Sequence, residues 1–120
     1  MSPTTAYRSG LALVGLTAFL IVWTTIVRDD GSGAGNFMII LAAVVGGYAV
    51  RFDAAGLARA MAGVATMQLT LGLLTATAPI TATLDGGAPR AFAFHAVFML
   101  FWLASAMLFR LAGRGALTAR

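Results

Sequence analysis

The chain has 120 residues, of which 60% are hydrophobic and only 10% charged, and its mean hydropathy is +0.91. A soluble domain usually carries about 25% charged residues and about 45–50% apolar ones, so the composition argues against a water-soluble globule and makes membrane lipid the expected surroundings. The formal charge of +4 is the excess of eight arginines over four aspartates; the arginines are spread singly along the chain, with no basic run, and no nucleic-acid partner is expected.

Four long stretches contain no Asp, Glu, Lys or Arg: 9–27, 31–50, 60–84 and 91–109. A hydrocarbon core of about 30 Å takes about 20 helical residues to cross. The expectation is an all-α membrane protein, an antiparallel four-helix transmembrane bundle in one integral domain over 1–120. Its helices are predicted at about 10–27, 37–52, 55–78 and 90–111.

The first helix follows a short lead containing Pro3. Its apolar run exceeds the roughly 7–15 residues of a signal-peptide core and ends in Trp23-Thr24-Thr25-Ile26-Val27-Arg28, without a small-x-small cleavage site. It reads as a retained anchor. The segment 28–36 is rich in Gly, Asp and Asn, which favour turns, and Asn36 is a candidate cap for the second helix. The short turn Asp53-Ala54-Ala55-Gly56 makes the second and third helices antiparallel neighbours, with Asp53 capping the third. Pro79 ends the third helix, and Pro89 precedes the fourth, where its fixed φ suits a helix start. Arg110 and Arg114 are placed to snorkel to headgroups at the end of the fourth.

With alternating helices and a cytoplasmic N-terminus, Arg8, Arg51, Arg59, Arg110, Arg114 and Arg120 share the cytoplasmic side. Arg28 and Arg90 lie outside with Asp29, Asp30 and Asp85. Such asymmetry orients a membrane protein N-in, C-in.

Small residues recur on the middle helices. Ala42 with Gly46, Ala43 with Gly47, and the stripe Gly56, Ala60, Gly63 are spaced so that backbones can approach closely in lipid. Helix packing by Gly46, Gly47, Gly56 and Gly63 is expected within the chain, and Gly46 or Gly63 should tolerate leucine less well than Phe98 does. Gln68 lies mid-helix with Thr66 and Thr70 nearby. Its amide needs a partner in hydrocarbon, and Ser105 is the candidate. Structural glue is the preferred role, with a polar point on a substrate path as the alternative.

His95 is the only histidine, followed by Met99 and Trp102 on the same helical face. Haem or metal normally takes more ligands than one chain provides here. An interfacial histidine bonded to Thr, Asp or water is preferred, and His95 as a cofactor-binding residue is the alternative. With no cysteine, thiolate ligands and thiol catalysis are excluded, and no cofactor or metal is expected. The outer cluster Arg28, Asp29, Asp30 and Asp85 reads as a solvated surface pairing. Tyr7 and Trp23 fit an aromatic belt. Every Asp and Arg lies near or beyond the end of a predicted helix, so none is expected to be embedded at membrane depth, whereas proton-coupled transporters usually keep such a group there. Small multidrug exporters share the length and helix number but depend on a carboxylate in the first helix, and that family is set aside.

The string Phe101-Trp102-Leu103-Ala104-Ser105-Ala106-Met107-Leu108-Phe109-Arg110 resembles the last helix of small, mostly uncharacterised bacterial inner-membrane proteins of about this size. So does the acidic, Gly-rich loop before Asn36-Phe37-Met38, and so does Ala55-Gly56-Leu57-Ala58-Arg59-Ala60-Met61. The resemblance spans most of the chain and implies a four-helix integral membrane protein, with no established activity to carry over. The expected role is a non-catalytic accessory or stabilising subunit, as a homo-oligomer or within a larger membrane complex. The alternatives are a small transporter or channel using Gln68, Thr66, Thr70 and Ser105, and a haem- or quinone-binding protein centred on His95.

Overall fold

The computed structural model describes residues 2–28, 33–78 and 86–118. Asp29, Asp30, Pro79 and Asp85 lie outside the described residues, and with them most of the outer acidic cluster. Every regular element among the described residues is helical: α1 (Pro3–Arg28), α2 (Gly33–Ala49), α3 (Ala54–Thr77) and α4 (Gly87–Thr118).

The helices depart from their expected ends for local reasons. The first begins at Pro3 rather than at residue 10, because Ser2 caps it. The Ser2 Oγ accepts the Thr5 N–H at 3.2 Å and donates to Thr5 Oγ1 at 2.8 Å. Proline then occupies the first helical position, where no N–H is needed. The second helix begins at Gly33, so Asn36 sits inside its first turn and does not cap it. The Asn36 side chain reaches across to α1 instead, donating from Nδ2 to Thr25 Oγ1 at 3.0 Å.

At its other end α2 stops at Ala49, short of the expected residue 52. Arg51 and Phe52 both adopt φ +56°. The Arg51 N–H bonds Tyr48 O at 3.0 Å and the Phe52 N–H bonds Gly47 O at 2.9 Å, the paired bonds that close a helix C-terminus. A left-handed conformation costs a side-chain-bearing residue about 1–2 kcal/mol. Tyr7 helps hold this turn, its Oη donating to Phe52 O at 2.7 Å. Asp53 then caps α3 as expected, accepting the Gly56 N–H at 3.1 Å. The fourth helix starts at Gly87, keeps Pro89 in its first turn, and continues past residue 111 to Thr118. Its late glycines are contact points: a Cβ on Gly113 would lie 3.5 Å from Ala55 N, and one on Gly115 2.5 Å from Pro3 Cγ.

Three helical segments are long and apolar enough to cross a membrane: Pro3–Val27, Ala54–Thr77 and Gly87–Gly115. The 17 residues of α2 rise only about 26 Å, short of a core of about 30 Å. The four expected spans are therefore three long helices and one short apolar one.

The most extensive packing joins α3 to α4, followed by α1 on α4; α2 rests on α3 and more lightly on α1. Ile21, Leu57, Met61, Val64, Phe98, Trp102 and Phe109 form the core. Phe98 is thus a core residue, edge-on to both Phe94 and Phe101, and not the tolerant position expected for it. The outside is strongly apolar, with Phe19, Trp23, Met38, Leu41, Tyr48 and Leu74 all more than half exposed. Inside lie Thr17, Asn36, Gln68, His95 and Ser105, all buried. A water-soluble protein distributes these classes the other way.

Candidate functional site

A buried polar centre lies where α3 and α4 pack together. Gln68 is fully buried on the α3 face that also carries Leu57, Met61, Val64 and Gly72. From α4, His95 and Trp102 project to meet it, seven residues apart and so nearly in line on one helical face. The Gln68 side chain bridges the two: its Nε2 lies 2.7 Å from His95 Nδ1, and its Oε1 accepts the indole N–H of Trp102 at 3.2 Å.

The donor inventory fixes the sense of this chain of bonds. An indole nitrogen only donates, so the amide oxygen must face Trp102 and the amide NH2 must face His95. His95 Nδ1 then accepts, and the ring proton resides on Nε2. A proton on Nδ1 as well would set donor against donor, and turning the amide to relieve that would break the Trp102 bond. The three side chains are therefore one unit with one satisfied arrangement.

Local sequence makes room for it. Gly72, one turn along from Gln68, is the seat for the imidazole: a Cβ there would lie 2.7 Å from His95 Cβ. Phe94 meets the imidazole edge-on, with ring centroids 5.2 Å apart. Interhelical hydrogen bonds of this kind contribute about 0.6–1.7 kcal/mol each in a membrane protein.

His95 is thus 2% exposed and bonded to an amide, where the sequence placed it at an interface near Thr, Asp or water. Ser105 does not partner Gln68; it is buried but donates to Phe101 O of its own helix at 3.0 Å. Thr66 and Thr70 are exposed and back-bond to Ala62 O and Thr66 O. They border a groove of about 260 Å³ between α2 and α3 together with Met38 and Leu74, apart from Gln68 and Ser105. The neutral polar residues considered as a path are therefore divided between the core and the outer surface.

The packing glycines also separate. Gly47 and Gly56 are buried, with Phe52 and Val50 respectively at 3.1 Å and 2.6 Å from a Cβ position. Gly46 meets Ala60 at 3.4 Å, an ordinary contact. Gly63 is exposed, and nothing lies within 4 Å of its Cβ position. Its expected packing role is corrected: it sits about 100° round the helix from the buried line through Val64. Gly56 shares that offset but is covered by Val50 of the turn.

Among the described residues no group of three or more His, Cys, Asp or Glu side chains is placed to hold a metal ion. A larger groove of about 620 Å³ lies between α3 and α4, bordered by Arg59 and Arg110. A smaller one of about 140 Å³ reaches Trp102 and Phe109. His95 lines neither of these, nor the groove beside Thr66. Compared with models of known protein families, with curated proteins and with solved structures, the chain finds no match.

Proposed function

We infer that the chain is a small, non-catalytic integral membrane protein, an accessory or stabilising subunit of a bacterial inner-membrane assembly or a self-associating bundle. The observation that carries this reading is how its polar interior is used. Gln68, His95 and Trp102 bond one another across α3 and α4, Asn36 bonds α1 to α2, and Thr17 and Ser105 bond their own helices. The bonds of Asn36, Gln68, His95 and Trp102 join neighbouring helices and those of Thr17 and Ser105 close within their own, while the apolar outer face is large.

The proposed topology is antiparallel, with both termini cytoplasmic. Contact pairs support it, because numbers rise along one helix as they fall along the other. Gly35 meets Leu71 and Gly46 meets Ala60; Ala55 meets Gly113 and Gly72 meets His95. The Tyr7–Phe52 bond and the Pro3–Gly115 contact associate the start of α1 with the α2–α3 turn and the end of α4. That end carries Arg8, Arg51, Arg59, Arg110 and Arg114, the side the positive-inside rule assigns to the cytoplasm. In this reading α2 also spans, with its short length matched by local thinning of the bilayer.

Purification in a mild detergent followed by native mass measurement tests the role. The expected result is a complex with a stoichiometric partner or a multiple of the 12.4 kDa chain. A single chain without a partner, at concentrations that match the membrane, would contradict it.

A further inference from the structure

The α3–α4 groove differs from the other two in carrying charge. Its volume of about 620 Å³ falls in the range of small-molecule sites, about 300–1,000 Å³. Ala58 and Ala62 of α3 leave the space open, Leu103 and Met107 of α4 wall it, and Arg59 and Arg110 border it. Both arginines are exposed, and neither forms an ion pair among the described residues. Asp53 is the one acidic side chain described, and it is engaged in capping α3.

The register brings the two arginines to one level. Gly113 sits against Ala55; a turn onward along α3 reaches Arg59, and a turn back along α4 reaches Arg110. Two guanidinium groups therefore flank one end of an apolar slot that opens outward. An arginine stem lies along apolar surface while its head reaches the headgroup layer, and the planar fork matches phosphate oxygens in two-bond geometry. Basic clefts between transmembrane helices on the cytoplasmic side suit anionic lipid headgroups.

We propose that this groove binds an anionic phospholipid, its phosphate held between Arg59 and Arg110 and an acyl chain laid over Ala58 and Ala62 against Leu103 and Met107. The proposal rests on the membrane-spanning reading above. It assigns the groove a lipid rather than a protein helix because the rim is cationic and its lining apolar, with no acidic side chain bordering it among the described residues.

The test uses the full chain in mild detergent, titrated with phosphatidylglycerol or phosphatidylcholine and read by native mass spectrometry. Wild type should retain phosphatidylglycerol about 25-fold more tightly than phosphatidylcholine, about fivefold for each of the two arginines. Each arginine removed should weaken that preference about fivefold, so R59Q/R110Q should bind both lipids alike. R90Q, a change at an exposed arginine outside the groove, should behave as wild type. Ala62 is exposed, so Ala62→Leu should fold normally yet fill the slot and reduce retention of both lipids.

Equal retention of the two lipids by wild type would overturn the proposal, as would an R59Q/R110Q variant with unchanged preference. If Ala62→Leu alters the oligomeric mass but leaves lipid retention intact, a protein helix occupies the groove and the lipid assignment fails. Failure of the membrane reading is separate: the chain would then stay in the aqueous fraction without detergent. Helical circular dichroism of each variant distinguishes lost binding from lost folding.

Discussion

Trp102→Ala is expected to cost about 3–5 kcal/mol of stability, the largest loss from any single truncation in the bundle. Trp102 is fully buried, belongs to the core, and donates its indole N–H to Gln68 Oε1. Alanine removes a large side chain from a site that residues of all four helices border and leaves the Gln68 oxygen without its donor. Trp102→Phe separates the two effects. It keeps most of the packing and loses the bond, so its cost should be nearer the 0.6–1.7 kcal/mol of one interhelical hydrogen bond, about half of the alanine effect or less. Unfolding in detergent micelles followed by circular dichroism measures both. An alanine variant within about 1 kcal/mol of wild type would show that the polar centre and its surrounding core do not hold the bundle together.

Gly72→Leu should be nearly as damaging. A Cβ alone would stand 2.7 Å from His95 Cβ, and the rest of a leucine would push α3 and α4 apart and separate Gln68 from His95. Overpacking typically costs about 1–3 kcal/mol and occasionally more, with the upper end expected here because backbone must move. Gly46→Leu should cost less, since Gly46 has only an ordinary 3.4 Å contact with Ala60. Gly63→Leu should fall within about 0.5 kcal/mol of wild type, because its Cβ position is open. Thermal unfolding of the three variants side by side gives the order. Gly63 proving as sensitive as Gly72 would contradict the packing described here.

The helices were legible because charge is expensive in hydrocarbon. The four charge-free stretches located all four, and the Asp53 cap followed from a short turn with one acidic residue at a helix start. The ends were less legible because capping depends on conformation. Ser2-Pro3 starts α1 well before its apolar run, and Arg51 and Phe52 end α2 in a left-handed conformation that neither residue type announces. At the end of α4 the helix continues through Gly113 and Gly115, which lie against Ala55 and Pro3 with little or no room for a side chain at Gly115.

The polar centre was only half legible. Gln68 and His95 stood out individually as polar groups in apolar helices, and the seven-residue spacing of His95 and Trp102 put both on one face. That spacing does not say which residue on another helix faces them. Ser105 was the expected partner of Gln68 by depth alone, whereas the actual register sets Gln68 between His95 and Trp102. Gly72 could have been found, since a glycine one turn from a buried glutamine is where another helix's side chain can enter. The small-residue spacing that singled out Gly63 ignored the rotation of about 100° per residue that turns it away from the buried face.

The topology of the bundle can be tested on the intact chain in a bacterial host. Two fusions at Arg120 are compared: a fluorescent protein that matures only in the cytoplasm, and a phosphatase active only in the periplasm. With five arginines described at the end shared by the start of α1, the α2–α3 turn and the end of α4, the fluorescent fusion should be bright and membrane-bound and the phosphatase fusion silent. A dark fluorescent fusion with strong phosphatase activity would place the C-terminus outside and contradict the even-numbered, N-in, C-in bundle.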